Sequence, residues 1–539
     1  MSLRSASLGG LAAATFALSL VVSPAVAAPS GRATLAGSVP SWAKAAAFKG
    51  SADPNGTVGF RVYLGWTNDT AAAALARAVS DPRSASYGHY LTPAQFRARF
   101  APSASTIASV QNWLKSRGFK VDYSPLNNRY VAAHGTVAQA QAAFGAKIDV
   151  YSVQGQLVRS PATALSVPSQ FAGVVDAVLG LDDSAQFIHT NHIVADAPPV
   201  AGFRNAPPLA DFFGQLASSY TFPAGFTADP AGTGTVPWAV RGTTPQQIKS
   251  AYGIGSGFDG SGQTVAVIDA FASPTIVSDV NTWSTNRGLP TFKPGQFTQM
   301  VAPGTYLRAQ NKKQDPQGWS SEETLDIEAV HGMATGANVV YVSAPNAQQD
   351  LDAALNHVVD RGLAQIVTNS YGFSGEAVPS GFIKPLNDTF IQAAAEGIGV
   401  YFSSGDCGTE VTASSQCTMV GRQPSPDWPA SSPWVTAVGG TALGVGASGQ
   451  RVVETGWGTS SYNCLAAAPF TCTDTGWLYG AGGGLSRIFA APSYQSALSH
   501  ATRAVPDVAA LADPQTGLLI GQTQTFPSGV AYDEYRIGG

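Results

Sequence analysis

The second half of the chain alternates short apolar runs with helical segments, and this alternation constrains the fold more than any other feature. Four β-rich apolar runs are predicted as buried strands, at residues 264–269, 338–343, 364–370 and 398–403. Helical segments such as residues 348–361 separate them. Strands that are buried on both faces and joined by helices form parallel sheets. The sequence therefore predicts an α/β domain over residues 238–539, with functional groups beyond the carboxyl ends of its strands.

The part of the chain before this domain has a different pattern. Residues 28–190 mix short β-rich runs, such as 60–66 and 129–133, with helical segments such as 105–117, which predicts a compact α+β unit. Residues 191–237 are rich in Ala, Pro and Gly without periodicity, so we predict an exposed linker of the kind that proteases cut. A chain of 539 residues is long enough for two such folded units.

Residues 1–27 have the three parts of an export signal. Arg4 supplies a positive charge, an apolar stretch follows, and residues 25–27 form a small-residue cleavage site. A membrane anchor is the alternative, but two serines and Pro24 interrupt the apolar stretch before it reaches the about 18 residues that a span needs. The sequence therefore predicts a secreted, extracellular protein that has no membrane contact after signal removal.

The amino-acid composition excludes two classes of binding partner, nucleic acids and anionic membranes. Charged residues make up 12% of the chain and the formal net charge is −4, so no basic surface is predicted that would bind nucleic acid or an anionic membrane. Aromatic residues make up 10%, which is typical of a globular protein with a packed core rather than a disordered one.

The four cysteines fall into two close pairs, Cys407 with Cys417 and Cys464 with Cys472. In an exported chain this spacing predicts two disulfides that close short surface loops. Sequence alone allows three connectivities, and zinc binding is the alternative. Because no C-x-x-C pair and no nearby set of histidines is present, we favour structural disulfides and predict no metal site.

Residues 320–332 (SSEETLDIEAVHG) carry the most informative chemistry. The serines before the acidic residues predict a helix start, and Glu322 and Asp326 stand at positions i and i+4, on one face of the helix. Two carboxyl groups so placed repel unless they share a proton, which raises one pKa and gives an acid/base pair suited to low pH. A solvated acidic helix end, favoured by the helix dipole, is the alternative.

His331 in the same helix suggests a different site, a Ser/His/Asp triad with Asp269 at the end of the first predicted strand. Five residues at about 100° each place His331 roughly 140° around the helix from Asp326, so the two cannot serve one site. A lone histidine is more often part of the packing. We therefore keep the triad only as the rival interpretation.

Residues 399–408 (GVYFSSGDCG) predict a buried strand that runs into a tight turn. A protonated Asp406 in this turn could donate a hydrogen bond to a developing oxyanion, although Asp beside Gly is also common in turns that have no chemical role. Ser403 and Ser404 lack the strand-turn-helix context of an exposed nucleophilic serine.

Taken together, these segments resemble the sedolisin family of serine-carboxyl peptidases, also called kumamolisin-like or S53 peptidases. The resemblance spans nearly the whole chain, and its further motifs lie at residues 87–96, 100–103, 113–114, 244–248, 251–253, 428–441, 482–486, 505–510 and 513–514. It implies a subtilisin-like parallel-sheet catalytic domain that follows an α+β activation domain. The activation domain would act as an intramolecular inhibitor, and the substrates would be peptides or denatured proteins.

The resemblance also implies roles for single residues. The family's E-x-x-x-D pattern falls on Glu322 and Asp326, which implies Glu322 as general base and Asp326 as the carboxyl that shares its charge. The neighbouring Glu323 does not fit that spacing. The family's Ser-x-Gly-Asp-x-Gly pattern falls on residues 403–408, which implies Asp406 as the acid that stabilises the oxyanion.

One part of the family pattern is not matched. The nucleophile is expected in a Gly-Thr-Ser motif directly after a segment like residues 535–539, where this sequence ends, and the family's calcium site is expected still further along. We therefore expect the catalytic domain to be C-terminally incomplete and the chain to be inactive as it stands, because a base without its serine forms no acyl-enzyme. An inert pseudo-peptidase that only binds peptides is the non-enzymatic alternative.

Overall fold

The computed structural model describes residues 31–194, 210–217, 237–308, 315–347, 350–418, 420–421, 423–465, 467, 469, 471–526 and 528–539. The predicted export signal and most of the predicted linker lie outside the described residues. Within the described part of the chain, no helix combines the length and apolar character needed to cross a membrane.

Residues 31–190 fold as an α+β unit, here called the N-terminal unit. Its strands are β1 (Arg32–Thr34), β2 (Phe48–Ser51), β3 (Thr57–Leu64), β4 (Lys120–Tyr123), β5 (Tyr130–Thr136), β6 (Ile148–Val153), β7 (Gln156–Pro161), β8 (Ser166–Pro168), β9 (Val175–Leu179) and β10 (Ile188–Thr190). Its helices are α1 (Asp69–Ser80), α2 (Pro93–Phe100), α3 (Ala104–Ser116) and α4 (Val137–Phe144).

An antiparallel sheet of order β4-β5-β3-β9 organises this unit. Apolar side chains of α3 and α4, such as Val110 and Phe144, pack with Phe60 and Val131 of the sheet in one core. Side chains alternate between the two faces of a strand, so β3 and β5 can fill this core with every second residue. The α+β prediction is confirmed, with element ends shifted by a few residues.

Residues 237–539 form the C-terminal unit. Its helices are α5 (Pro245–Ala251), α6 (Ile276–Asn286), α7 (Pro316–Met333), α8 (Asp350–Arg361) and α9 (Ser380–Glu396). The strands that precede α9 are β12 (Thr264–Ala270), β13 (Phe297–Val301), β14 (Asn338–Ala344), β15 (Ile366–Asn369) and β16 (Tyr371–Phe373). The later strands are β17 (Gly399–Ser403), β18 (Thr436–Val445), β19 (Arg451–Gly456), β20 (Gly458–Cys464), β21 (Cys472–Gly480), β22 (Gly484–Ala490), β23 (Thr502–Val505), β24 (Val508–Leu511), β25 (Leu518–Phe526) and β26 (Gly529–Gly538).

The main sheet has the order β13-β14-β12-β15-β17-β18-β19, and β24 also pairs with β18. Neighbours from β13 to β18 run parallel, and β19 closes the edge antiparallel. The predicted α/β class and the four predicted strands are confirmed. Because the strands are parallel, Asp269 at the end of β12 and Ser403 at the end of β17 lie at the same edge of the sheet.

Helix α7 begins earlier than the sequence predicted. Its N-cap is Asp315, whose carboxylate accepts hydrogen bonds from the backbone N–H groups of Gln317 and Gly318, both at 3.1 Å. Pro316 occupies the first helical position, where its missing N–H costs nothing. The serines at 320 and 321, which we took as the helix start, therefore lie inside the helix.

The two units share a polar and apolar interface on α8 and α9. Tyr63 and Tyr130 of the N-terminal unit belong to the same core as Leu351 of α8 and Phe390 of α9. Arg129 is fully buried and pairs with Asp388 of α9. Such a buried interface is specific to one docked arrangement, because each buried charge requires its partner.

The predicted linker is not exposed where it begins. Asn191 is fully buried, and Ile193–Val194 form β11, which pairs antiparallel with Ile537 and Gly538 of β26. The pairing of β11 with the far end of the chain is a non-local contact that local composition could not predict. The segment after the N-terminal unit therefore enters the C-terminal unit as a third strand beside β25 and β26.

Candidate active site

Three carboxyl groups meet where α7 crosses the end of β12. Glu322 and Asp326 lie one turn apart on α7, and Asp269 is the penultimate residue of β12. Glu322 and Asp269 are fully buried. Burial raises the pKa of Asp269 well above its usual range, and the nearby carboxyls of Asp326 and Glu322 add to the effect. Burial and the Glu322 carboxylate raise the pKa of Asp326 in the same way.

These carboxyl groups have unused hydrogen-bonding capacity. Glu322 Oε1, Asp326 Oδ2 and both carboxyl oxygens of Asp269 are buried without a hydrogen-bond partner among the described residues. Since buried ionised carboxylates without partners are costly, Asp269 and Asp326 retain their protons to a higher pH than exposed carboxyl groups do. The structure thus brings together the two residues predicted as an acid pair and adds Asp269 to them.

Glu323 faces a different environment from its neighbour. Its carboxylate accepts a hydrogen bond from the Ser273 backbone N–H at 2.6 Å. Burial raises the pKa of Glu323 to about 8, and the Asp279 carboxylate contributes to the shift. The structure therefore places Glu322 with the acid cluster and Glu323 against the loop after β12.

Asp406 sits in the turn after β17, as the sequence predicted. Gly405 has φ of +101° and Gly408 has φ of +61°, so the turn needs glycine on both sides of the acid. Its backbone is fixed by hydrogen bonds from Gly480 N–H to the Asp406 carbonyl at 2.8 Å and from Gly482 N–H to the Gly405 carbonyl at 2.6 Å. Burial raises the pKa of Asp406 well above its usual range, helped by the negative charge of Glu322 and then of Glu410.

The segment after the N-terminal unit contacts both parts of this site. The His192 ring bonds to Glu322 through Nδ1 and Oε2. Asn191 donates from Nδ2 to Ser403 Oγ at 2.8 Å, at the start of the turn that carries Asp406. The composition of residues 191–237 predicts an exposed linker, so the contact of these residues with the acid residues could not be expected from it. A histidine at the end of the N-terminal unit was the only signal for it.

The contacts of His331 do not form a Ser/His/Asp triad. Its Nε2 bonds to the Pro290 carbonyl at 2.7 Å and its ring packs on Phe292. Its buried Nδ1 has no hydrogen-bond partner among the described residues, and Asp269 belongs instead to the acid cluster. Burial lowers the pKa of His331, as expected for a histidine packed in a core.

The structure contains the two predicted disulfides, Cys407–Cys417 and Cys464–Cys472. The first follows Asp406 directly and ties its loop to a segment further along. The second links directly opposite residues of β20 and β21 and closes that hairpin. Both therefore restrain loops beside the acid turn, because β21 ends at Gly480, which bonds to Asp406.

The calcium that the resemblance implies has no fitting site in the described part of the chain. Among those residues, no group of three His, Cys, Asp or Glu side chains could hold a metal ion. No chemical step below involves a metal.

Comparison with known proteins links the chain to sedolisin-type peptidases. The family model described as Pro-kumamolisin, activation domain, matches residues 44–184. Sedolisin from Pseudomonas sp. (strain 101) is 27% identical over 461 residues, which cover 84% of this chain and 70% of sedolisin. Tripeptidyl-peptidase 1 from Homo sapiens is 28% identical over 497 residues, which cover 86% of this chain and 74% of that protein.

Two further matches complete the comparison. Xanthomonalisin from Xanthomonas sp. (strain T-22) is 29% identical over 490 residues, which cover 85% of this chain and 54% of xanthomonalisin. The chain thus spans about half the length of that relative. Among solved structures, Pseudomonas sedolisin, a serine-carboxyl proteinase complexed with two molecules of pseudo-iodotyrostatin, matches at 25% identity. That match covers 56% of this chain and 76% of the other, with a TM-score of 0.42.

Proposed function

The chain belongs to the sedolisin family of serine-carboxyl peptidases, and we propose that it is the secreted precursor of an acid-active endopeptidase. In this proposal Glu322 is the general base, Asp326 is the carboxyl that shares its charge, and Asp406 stabilises the oxyanion. The nucleophile is the serine of the Gly-Thr-Ser motif that the family resemblance implies. Peptides or denatured proteins are the substrates.

One observation carries the proposal: the acid pair of α7 and the Asp406 turn interact within one buried site. Glu322 contributes to the raised pKa of both Asp326 and Asp406. The proposed reaction requires an ionised carboxylate at Glu322, and the raised pKa of Asp406 keeps that second carboxyl protonated at acid pH. These are the two opposite states that base and oxyanion donor require.

The chemistry then follows from proton positions. The serine hydroxyl attacks the carbonyl carbon of the peptide bond while its proton passes to the Glu322 carboxylate. The carbonyl oxygen becomes an oxyanion that accepts a hydrogen bond from the protonated Asp406 carboxyl. Glu322 returns the proton to the leaving amine, and the acyl-enzyme is hydrolysed by water in the reverse sequence. Asp326 retains the shared proton and steadies the charge on Glu322.

The contacts of residues 191–194 support a zymogen. β11 pairs with β26 in the same antiparallel way that an extended peptide adds to a strand edge. His192 contacts the proposed base, so the segment occupies hydrogen-bonding capacity that a substrate and a serine would need. We propose that the activation domain inhibits the enzyme through this segment until the chain is cut within residues 191–237.

The test uses the protein translated from the coding DNA, read past the codon for Gly539, and measures peptide hydrolysis against pH. The rate should give a bell-shaped profile with both limbs on the acid side of neutrality. Glu322→Gln removes the base and should lower kcat by about a hundredfold or more. Glu323→Gln is the matched control, since it changes the adjacent carboxyl but not the base, and should retain most of the rate.

Two outcomes would contradict the proposal. A rate maximum near neutrality that is lost in His331→Ala and kept in Glu322→Gln would establish the triad mechanism instead. Binding of peptides without hydrolysis by a protein that contains the Gly-Thr-Ser motif would establish an inert binding fold.

A further inference from the structure

Two short strands hold the segment that follows the N-terminal unit, one on each side of Asn191 and His192. Before them, β10 pairs antiparallel with β16, so that Thr190 lies opposite Tyr371. After them, β11 pairs antiparallel with β26. Both pairings are of the kind in which an extended peptide adds to a strand edge. The peptide bond between Asn191 and His192 is therefore held in place from both ends.

The residue before this peptide bond is bound by its backbone and its side chain. The Asn191 N–H donates to the Ser370 carbonyl at 3.0 Å. Asn191 is fully buried, and its Nδ2 donates to Ser403 Oγ at 2.8 Å. A Cβ atom at Gly372 would lie 3.9 Å from the same Nδ2. The Asn191 side chain thus lies between β16 and the end of β17, just before the turn that carries Asp406.

The residue after the peptide bond contacts the proposed base. The His192 ring bonds through Nδ1 to Glu322 Oε2. The other oxygen of that carboxyl group, Oε1, is buried and has no hydrogen-bond partner among the described residues. One oxygen of Glu322 therefore holds the residue after the bond, while the second oxygen has the capacity to accept a proton.

The carbonyl group of Asn191 lies against Gly539. A Cβ atom at Gly539 would lie 2.4 Å from the Asn191 carbonyl oxygen, 2.9 Å from the carbonyl carbon and 2.4 Å from His192 Cα. The two backbones can approach so closely only because residue 539 is glycine. The Gly539 N–H also donates to the Ala512 carbonyl at 2.8 Å, which fixes its position. Since the Gly-Thr-Ser motif is expected directly after residues 535–539, the Asn191 carbonyl lies next to the proposed nucleophile.

These contacts distinguish the Asn191–His192 bond from its neighbours. Residues 188–190 and 193–194 are paired in strands, whereas this bond lies between the proposed base on one side and the Asp406 turn on the other. We propose that the precursor is first cut between Asn191 and His192 by its own active site, and that Ser403 recognises the residue before the cut bond, in the precursor and in peptide substrates. The inference rests on the proposed function and specifies its first reaction.

In this reaction the serine oxygen adds to the Asn191 carbonyl carbon while the serine proton passes to Glu322. The bond from that carbon to the His192 nitrogen then breaks, and Glu322 gives the proton to the leaving amine. Water hydrolyses the acyl-enzyme, which frees the serine. The products are an N-terminal fragment with a carboxyl group at Asn191 and a mature chain that begins at His192.

Burial determines which molecule can make this cut. Asn191 is fully buried, and the His192 side chain is only 14% exposed. Proteases cut exposed segments, so a second molecule cannot reach this bond in the folded precursor. The first cut should therefore be intramolecular, with a rate constant that does not depend on the precursor concentration.

The first test uses the protein translated past Gly539 and follows it after transfer to acid pH. Mass spectrometry of the earliest products should show one fragment that ends at Asn191 and one that begins at His192, with the same rate constant at all precursor concentrations. A first cut at another bond, or a rate constant that rises with concentration, would overturn the inference. If that other cut is lost in Glu322→Gln, the proposed function still holds. Cutting of the Asn191–His192 bond at the parent rate in Glu322→Gln would instead contradict the proposed function.

The second test measures kcat/KM of the mature enzyme for two peptides that differ only in Asn or Ala before the cut bond. Ser403→Ala should lower kcat/KM for the Asn peptide by about tenfold, because a buried amide loses its acceptor, and change that for the Ala peptide by less than about twofold. Ser404→Ala is the matched control, since the Ser404 hydroxyl donates to the Gly482 carbonyl at 2.8 Å, and should leave the ratio of the two values unchanged. An equal loss for both peptides in Ser403→Ala would overturn the recognition role of Ser403.

Discussion

The guanidinium of Arg129 is fully buried at the interface between the N-terminal and C-terminal units. It pairs with Asp388 of α9 and lies 3.5 Å from Asp176, while Lys384 reaches Asp388 at 2.9 Å from the other side. A single residue thus joins charges from both domains. Removing one partner of a buried pair is more costly than the pair is stabilising, because the remaining charge is left uncompensated.

At this scale we predict that Asp388→Ala strongly destabilises the precursor. Of its two ion pairs Arg129 would keep only the longer one, with Asp176, and the free energy of unfolding should fall by about 3 to 5 kcal/mol. Urea denaturation of the full chain measures this loss. Arg83→Ala, which breaks the exposed pair of Arg83 with Asp81, is the matched control and should change stability little. Similar denaturation midpoints for both variants would show that the buried pair does not hold the domains together.

The sequence predicts candidate site residues where the pattern is local. Glu322, Asp326 and Asp406 could be singled out because an i, i+4 pair and a glycine-flanked turn can be recognised within ten residues. Their catalytic roles stay predictions. The contact of His192 with Glu322 was not predicted, because these two residues are 130 positions apart and meet only after folding. The rival interpretation placed Asp269 in a Ser/His/Asp triad, whereas the structure places it beside Asp326 and Glu322. The strand pattern predicts the position of Asp269 in the sheet but not its neighbours.

Among the elements, α7 determines where the proposed base lies. The helix is held at its start by the Asp315 cap, and Arg308 bonds to the other Asp315 oxygen at 3.1 Å. Fraying of the first turn would loosen the segment that leads to Glu322. The Asp315-Pro316 pair is a helix-start pattern in the sequence, but the serines at 320 and 321, which precede the acidic residues, predict a later start.

We predict that Asp315→Ala costs about 1 kcal/mol of stability, because two backbone N–H groups lose their acceptor. Asp315→Asn keeps an acceptor and should recover most of it. Thermal denaturation gives the size of the effect, and hydrogen exchange at Gln317 and Gly318 shows whether it is local. Unchanged exchange at these two amides in Asp315→Ala would show that the cap does not stabilise the helix end.

The β20–β21 hairpin is the element most dependent on a disulfide. Cys464 and Cys472 close it over a short loop, so the cross-link removes little entropy from the unfolded chain compared with a long loop. Replacing both cysteines by serine should make the hairpin sensitive to limited proteolysis, while the main thermal transition moves by only a few degrees.

Mass mapping of unreduced peptides should show Cys407 joined to Cys417 and Cys464 to Cys472. A Cys407 to Cys464 peptide would contradict this pairing.

The whole molecule carries more protons when folded than its unfolded chain would. Burial raises the pKa of five carboxyl groups to values from about 6 to about 8, namely those of Asp182, Glu323, Glu396, Glu410 and Asp513. A group whose pKa is raised by folding stabilises the folded state at low pH and loses that contribution as the pH rises through its folded pKa. Burial lowers the pKa of His331 and His357, so these histidines bind fewer protons in the folded state. They therefore favour folding at higher pH, opposite to the carboxyl groups.

Since the carboxyl groups outnumber the histidines, we predict that the precursor is more stable at about pH 5 than at about pH 8. Calorimetry of the Glu322→Gln chain measures this without interference from self-cleavage. Glu323→Gln combined with Glu396→Gln should flatten the dependence, because it removes the two groups with the highest of these pKa values. A melting temperature that is higher at about pH 8 than at about pH 5 would contradict the prediction.

Activation of the precursor also involves the whole molecule, because it would separate the N-terminal unit from the C-terminal unit. At acid pH the complete precursor should acquire new N-termini within residues 191–237, and activity should appear in parallel with the cut. Sequencing of the N-termini over time measures both events. Full activity from an uncut chain would show that the β11 segment and His192 do not block the site.

The pairing of β11 with β26 also sets an order of events on the ribosome. The activation domain leaves the exit tunnel first, whereas Gly538 follows Ile193 by roughly 340 residues, which take about 20 to 70 s to translate. During that interval residues 193–194 have no strand to pair with. The segment that covers the proposed base therefore reaches its final strand pairing only after β26 has been made, so blocking of the site and pairing of β11 with β26 are coupled in time.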